Sequence, residues 1–428
     1  MIINDLIIKN GHVIDPSQDL DDVCDIRIKN GRIEELGTGI NPDGAEVFDA
    51  SGMLVMPGLI DMHAHLREPG GEESETITTG CESAAAGGFT AVCAMPNTLP
   101  PTDDAGRVRY IIERAKGAKA RVYPIGAITR GREGRKLTEM HDMSHTGAVG
   151  FSDDGSGIAD ARVMLNALRY AAMVGKPIIL HEEDAGLSQG GQMNESALSA
   201  ELGLTGIPGL AEEIPIMRDV ALAEYTGTSF HVTHVSTKGS VEIIRAAKAR
   251  GVKITCDVTP HHLVLTEDLV ATFDTRYKMK PPLRTADDTK ALIKGLRDGT
   301  IDAIATDHAP HSPEMKEMEF IDAAFGVTGF ETALAVIHSR LVLPGTLSWT
   351  DVVIKMSVKP AQILGLEGGS LAPGGIGDVT IYNPEAPWKV DPHSMKSKSE
   401  NTAFFDWELP GKVVATVVGG GVYWNVQD

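Results

Sequence analysis

Between residues 58 and 365 the sequence alternates short apolar segments with longer amphipathic ones, and this alternation constrains the fold more than any other feature. Eight of the apolar segments have the length and composition of buried β-strands: GLIDMHAH, FTAVCAMPN, RVYPIGAIT, AVGFSDDG, PIILHEED, SFHVTHVS, KITCDVTPHH and DAIATDHAPH. Between them lie amphipathic segments that finish in glycine, a common helix stop: DARVMLNALRYAAMVG, SVEIIRAAKARG and DDTKALIKGLRDG. Eight strands alternating with helices predict an α/β fold of the (β/α)8 TIM barrel type. A doubly wound open sheet is the alternative, but no glycine-rich dinucleotide-binding motif follows the first strand.

The two flanks of this region have a different pattern. Residues 1–57 and 366–428 contain short segments of alternating hydrophobicity separated by Gly and Asn-Gly turns, which is typical of antiparallel strands. Examples are DLIIKNGHVID near the start and GKVVATVVGGGVYWN near the end. Each flank is too short to make a full sheet layer, so we expect the two to pair into one small β-sandwich domain beside a barrel formed by residues 58–365.

The balance of charged residues disfavours some classes of partner. The chain has 39 Lys and Arg against 59 Asp and Glu, which gives a formal net charge of −20. Such a chain is not expected to bind nucleic acid or anionic membranes through general electrostatics. No apolar run reaches the roughly 18 residues that a membrane span requires. An acidic small molecule is still compatible with this charge if a local basic pocket receives it.

The cysteines and the first residues indicate the compartment. Four cysteines are scattered without CxxC spacing, and each is expected to fill core space rather than form a disulfide or a metal site: Cys24, Cys81, Cys93 and Cys256. The opening residues MIINDLIIKN contain no apolar region of a signal peptide. Free cysteines without a signal peptide predict a cytoplasmic protein.

Nearly every predicted barrel strand ends in a polar residue. In DMHAHLREPG, which ends the first strand, His63, His65 and Arg67 occupy alternate positions and therefore point to one face of a strand. Barrel enzymes place their active sites at the C-terminal ends of the strands. The pattern predicts two metal-binding imidazoles beside an anion clamp, whereas the alternative is a polar strand end that meets solvent.

Other strand ends supply further candidate metal ligands. These are Asp153 or Asp154, His181, His234 and Asp307. With His63 and His65 they make about six ligands, more than the four that one tetrahedral zinc ion takes. The number suits two metals bridged by a carboxylate and a water molecule, whose pKa the metals lower to about 7. Each residue alone has a structural alternative, such as a core histidine, a helix cap or a turn. A purely structural role for all of them, at five separate strand ends, is much less expected.

These motifs resemble those of a known family. MPGLIDMHAHLREPG resembles the signature of the cyclic amidohydrolases. The fuller set resembles the class I bacterial dihydroorotases across nearly the whole chain: MPNT, GFSDDG, HVTHVSTKGS, VTPHHL, KPPLR, IATDHAPH and FGVTGFET. The resemblance implies a (β/α)8 barrel with a β-sandwich from both termini, and a pair of zinc ions per subunit. It also implies reversible conversion of N-carbamoyl-L-aspartate to L-dihydroorotate in pyrimidine biosynthesis.

The resemblance also assigns the metal ligands. It implies that His63, His65 and Asp307 hold the first zinc and that His181 and His234 hold the second. Asp154 matches the bridging aspartate, because the family's spacing to the histidine of strand five selects the second Asp of SDDG. Many relatives, including hydantoinases, bridge with a carboxylated lysine instead. The segment GAVGFSDDGSG contains no lysine, which favours the dihydroorotase interpretation.

The expected mechanism needs a proton carrier and a carboxylate clamp. Metal-bound hydroxide would attack the cyclic amide carbonyl, and Asp307 would carry the proton to the departing nitrogen as general acid and base. Arg67 would bind the α-carboxylate of the substrate bidentately, unless it forms a surface ion pair. The resemblance adds Asn97, for which a turn residue is the alternative, together with His311 and the backbone near Phe325 and Gly326.

One residue departs from the family pattern. The family usually reads KMNPPLR, with the asparagine contacting substrate, whereas this chain reads KMKPPLR and has Lys280 there. Lysine offers donors only, so it does not replace an amide acceptor. We expect Lys280 either to reach a substrate carboxylate or to turn towards solvent.

Two other functions compete with dihydroorotase. The first is another cyclic amidohydrolase, either an allantoinase or a hydantoinase. The second is a non-catalytic scaffold, because some relatives have lost their ligands and serve as structural partners of aspartate transcarbamoylase. The complete ligand set of this chain argues against a scaffold. The partners expected besides the small-molecule substrate are a second copy of the chain or an aspartate transcarbamoylase.

Overall fold

The computed structural model describes residues 5–424 and begins with five strands. They are β1 (Asp5–Asp15), β2 (Leu20–Lys29), β3 (Arg32–Gly37), β4 (Glu46–Asp49) and β5 (Leu54–Pro57). Between β2 and β3, Asn30 and Gly31 have positive φ angles of 51° and 75°. This is the backbone of the two-residue hairpin turn that Asn-Gly favours.

The following strands form the barrel. They are β6 (Leu59–Ala64), β7 (Phe89–Ala94), β8 (Arg121–Gly126), β9 (Gly150–Phe151), β10 (Ile179–Leu180), β13 (Phe230–Val232), β14 (Ile254–Val258) and β15 (Ala303–Ile304). Hydrogen bonds join β6–β9 into one parallel sheet of four strands, and β10 with β13–β15 into another. Parallel bridges between Phe151 and Ile178 and between Ala64 and His308 connect the two sheets at both seams. The predicted (β/α)8 barrel is confirmed, while β11 (Met193–Asn194) and β12 (Gly206–Ile207) pair only with each other.

Helices connect the barrel strands. Their bounds are α1 (Ile77–Ala86), α2 (Ala105–Arg114), α3 (Met140–Thr146), α4 (Ala161–Val174), α5 (Ala185–Ser188), α6 (Ala197–Leu202), α7 (Leu210–Thr226), α8 (Lys238–Ala249), α9 (Pro260–Val264), α10 (Ala286–Asp298), α11 (Pro313–Lys316), α12 (Phe330–Ile337), α13 (Trp349–Val353) and α14 (Lys359–Leu364). The three amphipathic segments of the sequence correspond to α4, α8 and α10. Asp160, Thr237 and Thr285 cap their first turns by accepting backbone hydrogen bonds.

The last strands return to the first ones. They are β16 (Val379–Asn383), β17 (Trp388–Lys389), β18 (Glu408–Leu409), β19 (Lys412–Val418) and β20 (Gly421–Trp424). The final residue of the predicted segment, Asn425, lies outside the described residues. Because β16 pairs antiparallel with β5, both termini contribute to one hydrogen-bonded sheet of eight strands. The sheet divides at β1, which pairs with β4 along Leu6–Lys9 and with β5 along His12–Val13.

This sheet forms a β-rich domain with its own core. Its apolar cluster combines residues of both flanks, such as Ile8 and Ile26 from the first and Val379 and Val417 from the second. The prediction that both termini build one domain is therefore confirmed. We propose a boundary after residue 57, because β5 belongs to the terminal sheet and β6 to the barrel. We propose the other after residue 365, because α14 ends at Leu364 and the next strand, β16, belongs to the terminal sheet again.

The four cysteines lie in the interior, as expected of residues that fill core space. Cys24, Cys81, Cys93 and Cys256 are all buried and free of disulfide bonds. In residues 5–424, none of the helices combines the length and the hydrophobicity that crossing a bilayer would demand.

Tyr382 of β16 links the terminal domain to the barrel. Its side chain is fully buried, its hydroxyl lies 3.0 Å from Nδ1 of His338, and its ring packs against Trp349. His338 and Trp349 belong to the helical region that follows the last barrel strand.

We expect Tyr382→Ala to lower the free energy of unfolding by about 3–5 kcal/mol, because it leaves a cavity between the domains. Tyr382→Phe removes only the hydroxyl and should cost about 1–2 kcal/mol, and urea denaturation followed by circular dichroism measures both. Equal stability of the two variants would contradict the proposed role of the ring.

Candidate metal centre and substrate pocket

Asp154 lies at the centre of the site, at the C-terminal mouth of the barrel. Its buried Oδ1 is 3.3 Å from Nε2 of His63, 3.8 Å from Nδ1 of His181 and 3.9 Å from Nε2 of His234. Its Oδ2 is 3.6 Å from Nε2 of His65. One carboxylate therefore faces imidazoles on both of its sides, as a group that bridges two metals must.

The neighbouring Asp153 does not face these imidazoles. Its carboxylate accepts hydrogen bonds from the backbone N–H groups of Ile128 at 2.8 Å and Thr129 at 2.9 Å, and from the hydroxyl of Thr129. Burial raises the pKa of Asp153 to about 6 despite these hydrogen bonds. Asp153 thus fastens the loop after β9 to the loop after β8, and Asp154 is the member of the pair that faces the site.

His63 is oriented by a chain of hydrogen bonds behind it. The Thr233 hydroxyl donates to Oδ2 of Asp257 at 3.0 Å, so its oxygen accepts from Nδ1 of His63 at 2.7 Å. A proton on Nδ1 leaves the lone pair on Nε2, which points into the site. Asp257 also accepts from the backbone N–H of His234 at 2.6 Å. One buried carboxylate on β14 therefore positions a candidate ligand from β6 and another from the end of β13.

Asn97 connects His65 with Asp154. Its Oδ1 accepts from Nδ1 of His65 at 2.8 Å, and its Nδ2 donates to Oδ2 of Asp154 at 3.1 Å. His65 thereby directs Nε2 towards Oδ1 of Asp307, 3.0 Å away. The amide of Asn97 thus orients two candidate ligands while it lines the pocket, and its predicted contact with substrate stays a prediction.

The two remaining imidazoles contact each other. Nδ1 of His181 lies 2.9 Å from Nε2 of His234. Burial, followed by the nearby His181 and His63, lowers the pKa of His234 to about 3, so this ring is uncharged at neutral pH. His234 has a positive φ of 40°, a conformation that costs about 1–3 kcal/mol in a residue other than glycine. Its backbone bond to Asp257 helps to hold that conformation.

Asp307 also has left-handed backbone, with a φ of 49°. Its Oδ1 lies 3.5 Å from Nε2 of His63. The preceding Thr306 is held by Asp61, which accepts from its backbone N–H at 3.1 Å and from its hydroxyl. Because Asp61 belongs to β6, these bonds fix the end of β15 beside the end of β6.

The site attracts positive charge. Burial alone would raise the pKa values of Asp154 and Asp307, but the imidazoles, His63 foremost, hold both below their ordinary value. Burial would lower the pKa of His63, but Asp154 and Asp307 outweigh it and raise that pKa to about 10. The carboxylates of Asp154 and Asp307 thus favour positive charge at this place.

The donor set fits a metal centre. The potential ligand atoms of His63, Asp154 and His234 lie within 4.8 Å of one another, as do those of His63, His65 and Asp307. Among the described residues, Nε2 of His63 and Oδ1 of Asp154 are buried and have no hydrogen-bond partner. Buried polar atoms of this kind call for a further group that satisfies them. Imidazole and carboxylate donors in this number suit a divalent transition metal.

Arg67 adds a positive charge at the edge of the same site. Its Nε donates to the carbonyl oxygen of Pro310 at 3.0 Å, and its Nη2 lies 3.2 Å from Nε2 of His311. That Nε2 donates to the carbonyl oxygen of Phe325 at 2.7 Å. Because this nitrogen carries the proton, it does not accept a hydrogen bond from Arg67, and the guanidinium simply lies beside the ring. Burial lowers the pKa of Arg67 to about 10, which leaves the guanidinium charged at neutral pH. A cation beside a metal centre suits an anionic substrate.

Lys280 is paired rather than turned away into solvent. Its Nζ lies 2.8 Å from Oε1 of Glu183, whose Oε2 is 3.5 Å from Nε2 of His181. Burial would raise the pKa of Glu183, but His181 and Lys280 lower it to about 2. Lys280 therefore stands at the pocket edge with its charge balanced by Glu183, next to Phe325.

The predicted site residues meet in one pocket of about 170 Å³. Its lining includes His65, Arg67, Asn97, Asp154, His181, His234, Lys280, Asp307, His311, Phe325 and Gly326. His63 lies beneath them and is only 1% exposed. The structure thus brings together every residue that the sequence places in the site, while their individual roles stay predictions.

Sequence reasoning missed the residues that orient the ligands. Asp61, Thr233 and Asp257 are buried polar residues within or next to apolar strands. A buried carboxylate in such a strand usually has a specific partner, and this was the signal that could have identified Asp61 and Asp257. Thr233 carries no comparable signal, because threonine is common in strands.

Comparison with protein families gives two matches. The description "Dihydro-orotase-like" matches residues 52–240, and the description "Amidohydrolase family" matches residues 217–423. The chain is 50% identical to a dihydroorotase of Geobacter metallireducens over 422 residues, which covers 98% of this chain and 99% of that one. It is also 50% identical to a dihydroorotase of Pelotomaculum thermopropionicum over 417 residues, covering 97% and 98% of the two chains.

Two solved structures share the fold at lower sequence identity. An L-hydantoinase (dihydropyrimidinase) from Arthrobacter aurescens superposes with a TM-score of 0.88 at 27% identity, covering 98% of this chain and 96% of that one. A dihydropyrimidinase from Brevibacillus agri superposes with a TM-score of 0.86 at 22% identity, covering 98% and 94%. The second of these supports the barrel fold alone.

The Thr233 hydroxyl should control metal affinity. We expect Thr233→Val to weaken metal binding about 10–100-fold, because valine keeps the shape but removes the oxygen that orients His63. Competition titration against a chelating dye, with Zn²⁺ as the probe ion, gives the dissociation constants. Thr416→Val is the matched control, since it removes a buried hydroxyl that donates to Ala85 O far from the site. Wild-type affinity in Thr233→Val would contradict the orienting role.

Proposed function

The chain belongs to the dihydroorotase family, and from this membership we propose that it catalyses the reversible interconversion of L-dihydroorotate and N-carbamoyl-L-aspartate. The observation that carries the proposal is the convergence of four imidazoles and two carboxylates beside Arg67 in one pocket. Relatives named dihydroorotase support it, because they are 47–50% identical over nearly the whole chain. The reaction would serve pyrimidine biosynthesis.

We propose zinc as the metal, with a pair of ions per subunit. His63, His65 and Asp307 would hold one ion, and His181 and His234 the other. Asp154 would contact both, in keeping with its position between the two groups of imidazoles. When bound, such ions act as Lewis acids and lower the pKa of water to about 7.

Arg67 would bind the α-carboxylate, which both forms of the substrate carry. Its guanidinium lines the pocket and offers planar donors in a geometry that matches a carboxylate. His311 would support this clamp, because it stands beside Arg67 and is anchored on the carbonyl of Phe325. Lys280 would contact the part of the substrate near Glu183, and the backbone at Gly326 would face the ring.

Asp307 would move the proton of the reaction. In the hydrolytic direction, water adds its oxygen to the ring amide carbonyl, and the Asp307 carboxylate accepts the proton that water loses. The bond between the carbonyl carbon and the ring nitrogen then breaks, and Asp307 returns the proton to that nitrogen. The imidazoles hold the pKa of Asp307 below its ordinary value, so it starts as the ionised acceptor. Cyclisation is the same sequence in reverse.

Two competing functions receive less support. A hydantoinase is suggested by the L-hydantoinase structure at 27% identity, well below the identity to the dihydroorotases. The strand end that carries Asp154 contains no lysine to carboxylate. A non-catalytic scaffold would not need six buried ligands held by further hydrogen bonds. We propose a cytoplasmic location, and a second copy of the chain or an aspartate transcarbamoylase as protein partner.

The direct test compares substrates on one preparation. Turnover of dihydroorotate, allantoin and hydantoin is measured side by side, and zinc is quantified by mass spectrometry on the same protein. We expect turnover of dihydroorotate and a zinc content near a pair of ions per chain. Preference for allantoin or hydantoin would overturn the substrate, and a zinc-free, inactive protein would support the scaffold instead.

Asp307→Asn should separate metal binding from proton transfer. We expect kcat to fall about 10²–10⁴-fold, because the amide does not accept the proton, while most of the metal is retained. Steady-state kinetics and metal analysis measure the two effects. Asp302→Asn is the matched control, since Asp302 lies at the opposite end of the same strand and pairs with Lys248. A near-normal kcat in Asp307→Asn would remove this residue from the proton-carrying role.

Arg67→Met should mainly weaken substrate binding. We expect KM to rise about 10–100-fold, the loss expected for charge-assisted hydrogen bonds, with a smaller change in kcat. Arg107→Met is the control. Arg107 lies in α2 and forms its ion pairs with Asp103 and Asp104, which immediately precede that helix, outside the pocket. An unchanged KM would show that Arg67 does not bind the carboxylate.

A further inference from the structure

A short segment of the C-terminal flank, residues 397–402, lies against the mouth of the barrel. We call it the C-terminal strap. Four of its six residues are buried, although it follows the barrel in sequence: Ser397, Ser399, Asn401 and Thr402. Ser397 donates to Glu75 Oε2 and Ser399 donates to the carbonyl oxygen of Ser74, both at 2.6 Å. The strap therefore holds the loop after β6 that also contains Arg67.

Asn401 is the part of the strap that reaches the substrate pocket. Its Nδ2 donates to the carbonyl oxygens of Ala309 and Gly326, each at 3.1 Å. Its Oδ1 accepts from the backbone N–H of His311, also at 3.1 Å. One amide thus joins two separate segments of the pocket wall. All three of the groups it binds belong to residues that line the pocket.

Packing alone does not fix this wall. His311 has the pocket of about 170 Å³ on one side, and it also lines a second cavity of about 310 Å³ together with Asn401. A side chain between two cavities lacks the neighbours that normally hold a buried residue in place. Nδ1 of His311 has no hydrogen-bond partner among the described residues, so the ring is anchored only through Nε2. The bond from the backbone N–H of His311 to Asn401 therefore restrains its position, together with the hydrogen bonds of the neighbouring Ala309, Pro310 and Ser312.

Gly326 is equally dependent on its surroundings. Its φ is 132°, a region that favours glycine, and a Cβ at this position would lie 2.7 Å from Cβ of Ala309 and 3.0 Å from Nε2 of His311. The three residues are thus in close contact, and Asn401 binds all of them from behind. A shift in any one would move the others.

We propose that Asn401 is a positioning residue for substrate binding, through which the C-terminal strap sets the geometry of the carboxylate clamp. It holds the backbone of His311, whose ring stands beside Arg67, and it fixes Gly326 next to that ring. It does not touch the metal ligands, so its loss should affect the binding of substrate and leave the metal centre intact. This inference rests on the proposed function, because it assumes a substrate that Arg67 and His311 bind.

The test compares Asn401→Ser with the wild-type chain and with Asn383→Ser. The control removes an equivalent amide from the end of β16 in the terminal domain, where the side chain of Asn383 accepts from the backbone N–H of Glu385, far from the pocket. For Asn401→Ser we expect KM for dihydroorotate and for carbamoyl aspartate to rise at least tenfold. We also expect kcat to change less than threefold, and the zinc content to stay at the wild-type value. A purely structural role would instead lower active protein and zinc together.

Hydrogen exchange gives a readout that does not depend on activity. The amide of His311 should exchange at least tenfold faster in Asn401→Ser, while amides in β6–β8 keep their protection. Asn401→Asp retains the acceptor for this amide but opposes both carbonyl oxygens. It should keep His311 protected and still raise KM, and it decides the question if the serine variant does not fold.

The outcomes separate this inference from the proposed function. Unchanged KM values with unchanged exchange at His311 would overturn the role of Asn401. A wild-type chain that does not turn over dihydroorotate would overturn the proposed function, and the exchange experiment would then decide by itself whether Asn401 holds the pocket wall.

Discussion

A buried carboxylate needs compensating charge or hydrogen bonds, and the mouth of this barrel is arranged around that need at Asp154. Its two oxygens face four imidazoles at 3.3–3.9 Å. The imidazoles are in turn fixed by second partners, such as Thr233 behind His63 and Asn97 behind His65. In His63 and His65 one ring nitrogen is bound to these partners and the other faces the carboxylates, so hydrogen bonds to the protein fix the direction of these two candidate ligands.

Much of this arrangement could be predicted from the sequence. Short apolar segments alternating with amphipathic ones located all eight barrel strands, and the polar residues that end nearly every one of them identified the mouth. The strands themselves are shorter than the apolar segments suggested; β15 has two residues where ten were proposed. The reason is that each segment includes its polar tail, whose residues leave the ladder to face the site.

The rest depends on contacts between distant parts of the chain. A choice between Asp153 and Asp154 required the family's spacing, since both are acidic and adjacent, and only the fold shows that Asp153 binds Ile128 and Thr129. The pairing of Lys280 with Glu183 and the insertion of Asn401 join residues about 100 and 90 positions from their partners. No local pattern encodes these contacts, because they form only when the barrel strands and the C-terminal flank come together in the folded chain.

The two seams of the barrel have a consequence for the ligand set. Each half of the ring is a sheet of four strands, and the halves meet through single bridges, Phe151 to Ile178 and Ala64 to His308. The ends of strands β6–β9 supply three of the six candidate ligands: His63, His65 and Asp154. The ends of β10 and β13–β15 supply the other three: His181, His234 and Asp307. A cation bound by ligands from both halves would stabilise the seams, because the two sheets could not separate without breaking bonds between the metal and its ligands. The free energy of metal binding would then serve both to form the reactive centre and to keep the barrel closed.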